Sequence, residues 1–206
     1  RSSNPSNHTL VAETLYFIAD AEQDRSLFSA ERKEGACDIK NLGVSNRVEH
    51  FIVHEDTIYV LAETVEGFDL ASYSPANESL TLRGTVEGDR ADLLLTSMGM
   101  AVVVWNESGH QLSFIADVAL TTIPDLDFNA FLGGTGEFAY LSSQALGQTT
   151  IWYTEGTPET TKEVGSMRAN EFEFLDSNLI ISGSQATTHG IWKANADGIN
   201  LLAEMA

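Results

Sequence analysis

The chain has 206 residues, 43% of them apolar and 9% aromatic, enough for one domain with a sizeable core, which excludes a disordered chain. Thirty Asp and Glu against eleven Lys and Arg leave a formal charge of −19, which repels phosphate backbones and argues against a nucleic-acid partner. The single cysteine, Cys37, excludes an intrachain disulfide framework, and the longest apolar run, residues 100–105, is far too short to span a membrane.

Residues 1–7 are polar and contain a proline; they read as a flexible N-terminal segment. From residue 8 onward the apolar residues come in short runs rich in Ile, Val, Phe and Tyr, separated by Gly, Asn, Asp and Glu. That pattern predicts strands joined by hairpin turns. No stretch keeps helical spacing over ten or more residues, so almost no helix is expected.

Four runs fill each successive unit. In residues 8–45 they are 8–12, 15–19, the run around Leu27, and 36–42. In residues 46–88 they are 48–54, 58–62, the run around Leu70, and 79–84. In residues 89–125 they are 91–96, 101–105, the run around Leu112, and 119–123. Residues 126–168 hold 128–132, 138–142, the run around Ile151, and 160–164; residues 169–206 hold 171–175, 179–183, the run around Ile191, and 199–203.

Two ladders carry the period. Tyr16, Tyr59, Val102, Ala139 and Ile180 are spaced by 43, 43, 37 and 41 residues; Leu27, Leu70, Leu112, Ile151 and Ile191 by 43, 42, 39 and 40. Four short antiparallel strands recurring at this interval are the signature of a propeller blade. The predicted fold is therefore an all-β propeller of five four-stranded blades, or five blades of a larger ring.

The clearest hairpin is residues 149–164, TTIWYTEGTPETTKEV, in which Glu155-Gly156-Thr157-Pro158 makes the turn. The phrase returns at Ile191-Trp192-Lys193 followed by Asn195-Ala196-Asp197-Gly198. It resembles the secreted bacterial repeats with an E-L-W-x-T-D-G-T-x-x-G-T core, which are propeller-like. The match is best at residues 151–161 and partial at 190–199 and 15–30. Glu155 stands at the family's Asp and Thr160 at its second Gly. The resemblance implies that Trp152 and Trp192 pack between blades and that the setting is exported: secreted, cell-surface or periplasmic. It implies no activity and no catalytic residue.

Candidate site residues follow from departures within the repeat. The fifth residue of the second run is Ala19, Ala62, Trp105, Ser142 and Gly183, so four of five are small, which points to crowding there. Trp105 either compensates for the thin neighbour Ser113 or offers an aromatic platform to a sugar or peptide. Trp105 and His110 are accordingly the candidate ligand-binding residues.

Asp20, Glu22 and Asp24 alternate, with Glu31 at position twelve, and are the candidate calcium ligands; no other cofactor is expected. Arg25 stands where such a loop needs glycine, so a solvated turn is the competing reading. His50 and His54, four apart in a strand, are ~13 Å from each other and cannot share one metal. Glu49, Asp92, Asp127 and Glu173, on first strands or their exits, are the carboxylates that could face a central funnel. No nucleophile elbow is present, and the glycines of residues 133–136 suit a hairpin turn better than a phosphate loop. The expected function is a non-enzymatic binding or scaffold module presenting propeller loops to a protein or glycan. Its rivals are a glycan-acting hydrolase using funnel carboxylates and a structural subunit of a larger assembly.

Overall fold

Alternating apolar and polar residues build β-strands and nothing else in the computed structural model, which describes residues 5–21, 24–44, 46–107, 109–116, 119–123, 126 and 130–205. The first sheet is β1 (Ser6–Val11), β2 (Thr14–Ala21), β3 (Asp24–Lys33) and β4 (Ala36–Asn41). The second is β5 (Arg47–His54), β6 (Thr57–Glu63), β7 (Phe68–Ser74) and β8 (Ser79–Val86). The third is β9 (Arg90–Thr96), β10 (Gly99–Asn106), β11 (Gly109–Ala116) and β12 (Ala119–Ile123). A seven-stranded sheet follows: β13 (Ala130–Gly134), β14 (Ala139–Ala145), β15 (Gln148–Thr154), β16 (Lys162–Leu175), β17 (Asn178–Gln185), β18 (Thr188–Asn195) and β19 (Gly198–Glu204). Within each sheet the strands lie side by side in chain order.

The seven-stranded sheet contains the fourth and fifth units. Lys162 and Met167 pair with β15, while Arg168 to Leu175 pair with β17, so one strand closes the fourth sheet and opens the fifth. The sequence reading places two strands there, 160–164 and 171–175, with a break between. The break is absent: Gly165 and Ser166 stay in the ladder, paired with Ile151 and Thr150. The strand accommodates both partners with two register shifts, one at Val164 opposite β15 and one between Ala169 and Glu171 opposite β17.

Two-residue turns join the first to the second strand in the first, second and fifth repeats. Val11 pairs with Thr14, His54 with Thr57, and Leu175 with Asn178. The first turn residues Ala12, Glu55 and Asp176 adopt φ of 52°, 52° and 46°. This left-handed geometry matches the twist of the flanking strands. β1 begins at Ser6, ahead of the run expected from residue 8, held by the pairing of Ser6 with Ile18.

The chain divides into two compact units; the first holds the first two sheets, the second holds β13 to β19, and the third sheet is divided between them. In the first unit Ile18 and Leu27 of the first sheet pack with Phe51, Ile58 and Val60 of the second. In the second unit Ile151 and Tyr140 of the fourth sheet pack with Ile181 and Trp192 of the fifth. Within each unit, then, one repeat buries a sheet face against the next.

Candidate functional site

One irregularity recurs in the first strand of four repeats. The ladder slips by one residue at Asn7 in β1, Glu49 in β5, Leu132 in β13 and Asn170 in β16. An extra residue bends a strand and re-aims its side chains. In the first unit two of these extra residues, Asn7 and Glu49, line one cleft of about 510 Å³ together with His50, Phe68, Arg90 and Asp92. Val48 and Phe51 point the other way into the core, leaving Glu49 and His50 to the cleft.

Charge pairing organises the cleft. Glu49 meets Arg47 Nε at 2.9 Å and Arg25 Nη1 at 3.6 Å. Arg47 reaches on to Glu63 at 3.4 Å, and Arg25 donates to Ser6 Oγ at 2.7 Å. On the other wall Arg90 donates to Asp92 at 3.2 Å. His50 Nδ1 lies 3.7 Å from Asp92 Oδ1, beyond hydrogen-bond length, and is buried without a partner. The arginine pairs are half-exposed, so each contributes modestly to stability. Their main effect is to fix where acceptors and donors sit.

Trp105 joins this wall. The Arg90 guanidinium lies over its ring, 4.9 Å from the centroid, and its carbonyl accepts the Asp89 N–H at 2.8 Å. The indole is half-buried. Gly88 makes the approach possible: a side chain there would start 2.2 Å from Val104 Cγ1 and 2.9 Å from the Trp105 carbonyl oxygen. Ser113, the proposed thin neighbour, is fully buried and bonds the Thr122 hydroxyl at 2.8 Å.

The remaining candidates fall elsewhere. His110 is half-buried on β11, in the second unit. Asp20 pairs with Arg25 across the β2–β3 hairpin, both Asp20 and Asp24 are exposed, and Glu31 lies at the far end of β3 opposite Thr14. Asp20 and Asp24 thus lie at the ends of β2 and β3 that meet at the hairpin turn, away from Glu31. Glu22 and Asp127 lie outside the described residues. Among the described residues no three His, Cys, Asp or Glu side chains converge as a metal site. Glu173 is exposed on β16, opposite Ile180. Of the four funnel carboxylates, Glu49 and Asp92 are brought together. Sequence reasoning missed Arg47 and Arg90, whose only local signal was their place at the start of first strands, and Arg25, which reaches the cleft from the third strand β3.

No family model matches the chain, and no curated protein matches it. Among solved structures, a protein from Lactobacillus plantarum aligns over 100% of this chain and 72% of its own, at 17% identity and a TM-score of 0.50. The two share a fold. TolB from Acinetobacter baumannii aligns over 92% of this chain and 51% of its own, at 10% identity and a TM-score of 0.42. A prolyl endopeptidase aligns over 86% and 30%, at 13% identity and a TM-score of 0.46. The neighbours are β-propeller proteins, and this chain is all-β without a helix among the described residues. Among the described residues no helix is long and apolar enough to cross a membrane.

Proposed function

We propose that this chain is a propeller-type binding module whose first-strand cleft receives a polar segment of a protein or glycan. The observation that supports this reading is the gathering of Asn7, Glu49, His50, Arg90 and Asp92 into one cleft by two strand bulges. Bulges beside a concave site re-aim side chains for contact. Glu49 and Asp92 are each already engaged by guanidinium groups, an arrangement suited to hydrogen-bond recognition rather than proton delivery. An exported location belongs to the same reading and is supported by the repeat resemblance around Trp152.

The convergence of Glu49 and Asp92 also favours, as a second reading, glycan hydrolysis in the same cleft. One experiment separates the two. Screening against glycan and peptide arrays, followed by calorimetry, is expected to give a ligand whose affinity falls at least tenfold in Arg90→Ala and Asp92→Asn, about 1.4 kcal/mol or more. Turnover of a glycan that disappears in Glu49→Gln and Asp92→Asn would instead establish the hydrolase. Binding unaffected by all three changes would remove the cleft from the function.

A further inference from the structure

His50 and Asp92 face each other in the cleft without closing their contact. His50 Nδ1 is shut off from solvent and has no hydrogen-bond partner. Asp92 Oδ1 lies 3.7 Å from it, too far for a hydrogen bond but within reach of an ion pair. The other oxygen of that carboxylate, Oδ2, accepts Arg90 Nη2 at 3.2 Å, and the Arg90 guanidinium lies over the Trp105 ring. The four side chains belong to the first unit and form one chain of contacts, with its unmade link at the His50 end.

A proton decides whether that link forms. A neutral imidazole carries one N–H and can leave Nδ1 as a bare acceptor, whereas an imidazolium carries an N–H on both nitrogens. A charged donor enclosed with no acceptor is strongly disfavoured. Asp92 Oδ1 is the acceptor in place, on a side chain that is 45% exposed and has room to turn. A movement of about 0.8 Å brings it to the length of a charge-assisted hydrogen bond.

The surroundings favour the charged ring. Glu49, Glu63 and Asp89 line the same cleft and add negative potential. Arg25 and Arg47 oppose it, but both are engaged by Glu49, and Arg47 by Glu63 as well. Leu61, opposite His50 in the ladder, and Asn7 of β1 carry no charge.

We infer that His50 is a proton-operated latch on the cleft: in taking up a proton it draws the Asp92 carboxylate to its Nδ1–H and off Arg90, whose donors then turn to the ligand. It rests on the reading of this cleft as a recognition site, and adds that recognition changes with pH. Histidine is the side chain that makes this change in mildly acidic water. There the cleft gains a positive charge and frees a planar set of N–H donors, so a segment offering carboxylate, carbonyl or hydroxyl oxygens binds more tightly.

Heteronuclear NMR of the 206-residue chain through a pH titration tests the movement, with sulfate as the probe for freed guanidinium donors. The Asp92 carboxylate and Arg90 guanidinium signals should shift with the same midpoint as the His50 imidazole. Sulfate should bind at the Arg90 signals several-fold more tightly below that midpoint than above it. Both effects should vanish in His50→Leu, and the Arg90 response should vanish in Asp92→Asn. Asp92 and Arg90 signals that stay still while His50 titrates would overturn the latch. So would the same inflection in His50→Leu, since the carboxylates would then be titrating by themselves. Sulfate affinity that is flat across the midpoint would overturn the link to recognition. Array-selected ligands indifferent to Asp92→Asn, with Asp92 and Arg90 still following His50, would remove the cleft function and leave the latch in place.

Discussion

The Arg90 guanidinium lies over the Trp105 ring, 4.9 Å from its centroid, while its Nη2 donates to Asp92 at 3.2 Å. One guanidinium thereby ties an indole to a carboxylate and sets the rim of the cleft. A cation over an indole at a partly exposed site contributes about 0.5–1 kcal/mol. A double-mutant cycle of Arg90→Ala and Trp105→Phe, read by urea denaturation, should return a coupling of that size. Strict additivity would show that the two side chains act independently.

His50 Nδ1 is buried without a hydrogen-bond partner. A buried polar atom left unpaired costs about 1–3 kcal/mol. His50→Leu should therefore leave the protein as stable as before or slightly more so in equilibrium unfolding. A loss of about 2 kcal/mol or more would show that the imidazole makes an interaction worth keeping.

The two repeat tryptophans should respond unequally. Trp192 is 6% exposed and donates to the Gly183 carbonyl at 3.3 Å; Trp152 is half-buried and donates to Ser143 Oγ at 3.1 Å. Trp192→Ala should cost about 3–5 kcal/mol, and Trp152→Ala clearly less because less of its surface leaves water. Equal midpoints of chemical denaturation would contradict this.

Gly183 tests the crowding expected at the fifth position of the second run. A side chain there would begin 2.3 Å from the Arg168 carbonyl oxygen and 3.0 Å from Met167 Cε. The oxygen is backbone and cannot swing away. Gly183→Ala should lower stability by about 1–3 kcal/mol, measurable as a fall in Tm. Gly136→Ala, with open space around it, serves as the neutral control.

Alkaline pH should unfold the chain through its phenols. Burial, and then a 2.9 Å hydrogen bond to Glu155, push Tyr153 up to about 12. Burial raises Tyr16, Tyr73 and Tyr140 as well. Unfolded phenols ionise near pH 10. Above that pH the unfolded state has lost protons that the folded state still binds, so stability falls with rising pH. It is complete below about 10 and lost toward 12, and Tyr153→Phe should flatten the slope. Parallel absorbance and circular-dichroism titrations check this; free ionisation near pH 10 in an intact fold would refute it.

Strand identity and the repeat were legible in the sequence because both are local. A period of two and a turn residue every few positions are written in neighbouring residues, and the run 119–123 coincides with β12. The small fifth residue was likewise legible at Gly183, because crowding selects against side-chain volume. The cleft was not. Glu49 and Asp92 were only two among four scattered carboxylates until the bulge at Glu49 and the approach of His50 to Asp92 set them in one cleft with Arg90. Nor did the two equivalent indoles, Trp152 and Trp192, reveal which would be enclosed. Sequence alone determined that the chain forms short strands joined by turns at a repeating interval, since both depend on neighbouring residues. Tertiary structure decided which side chains share a cleft or lose water, since that depends on sheets brought together over long separations by burial of their faces.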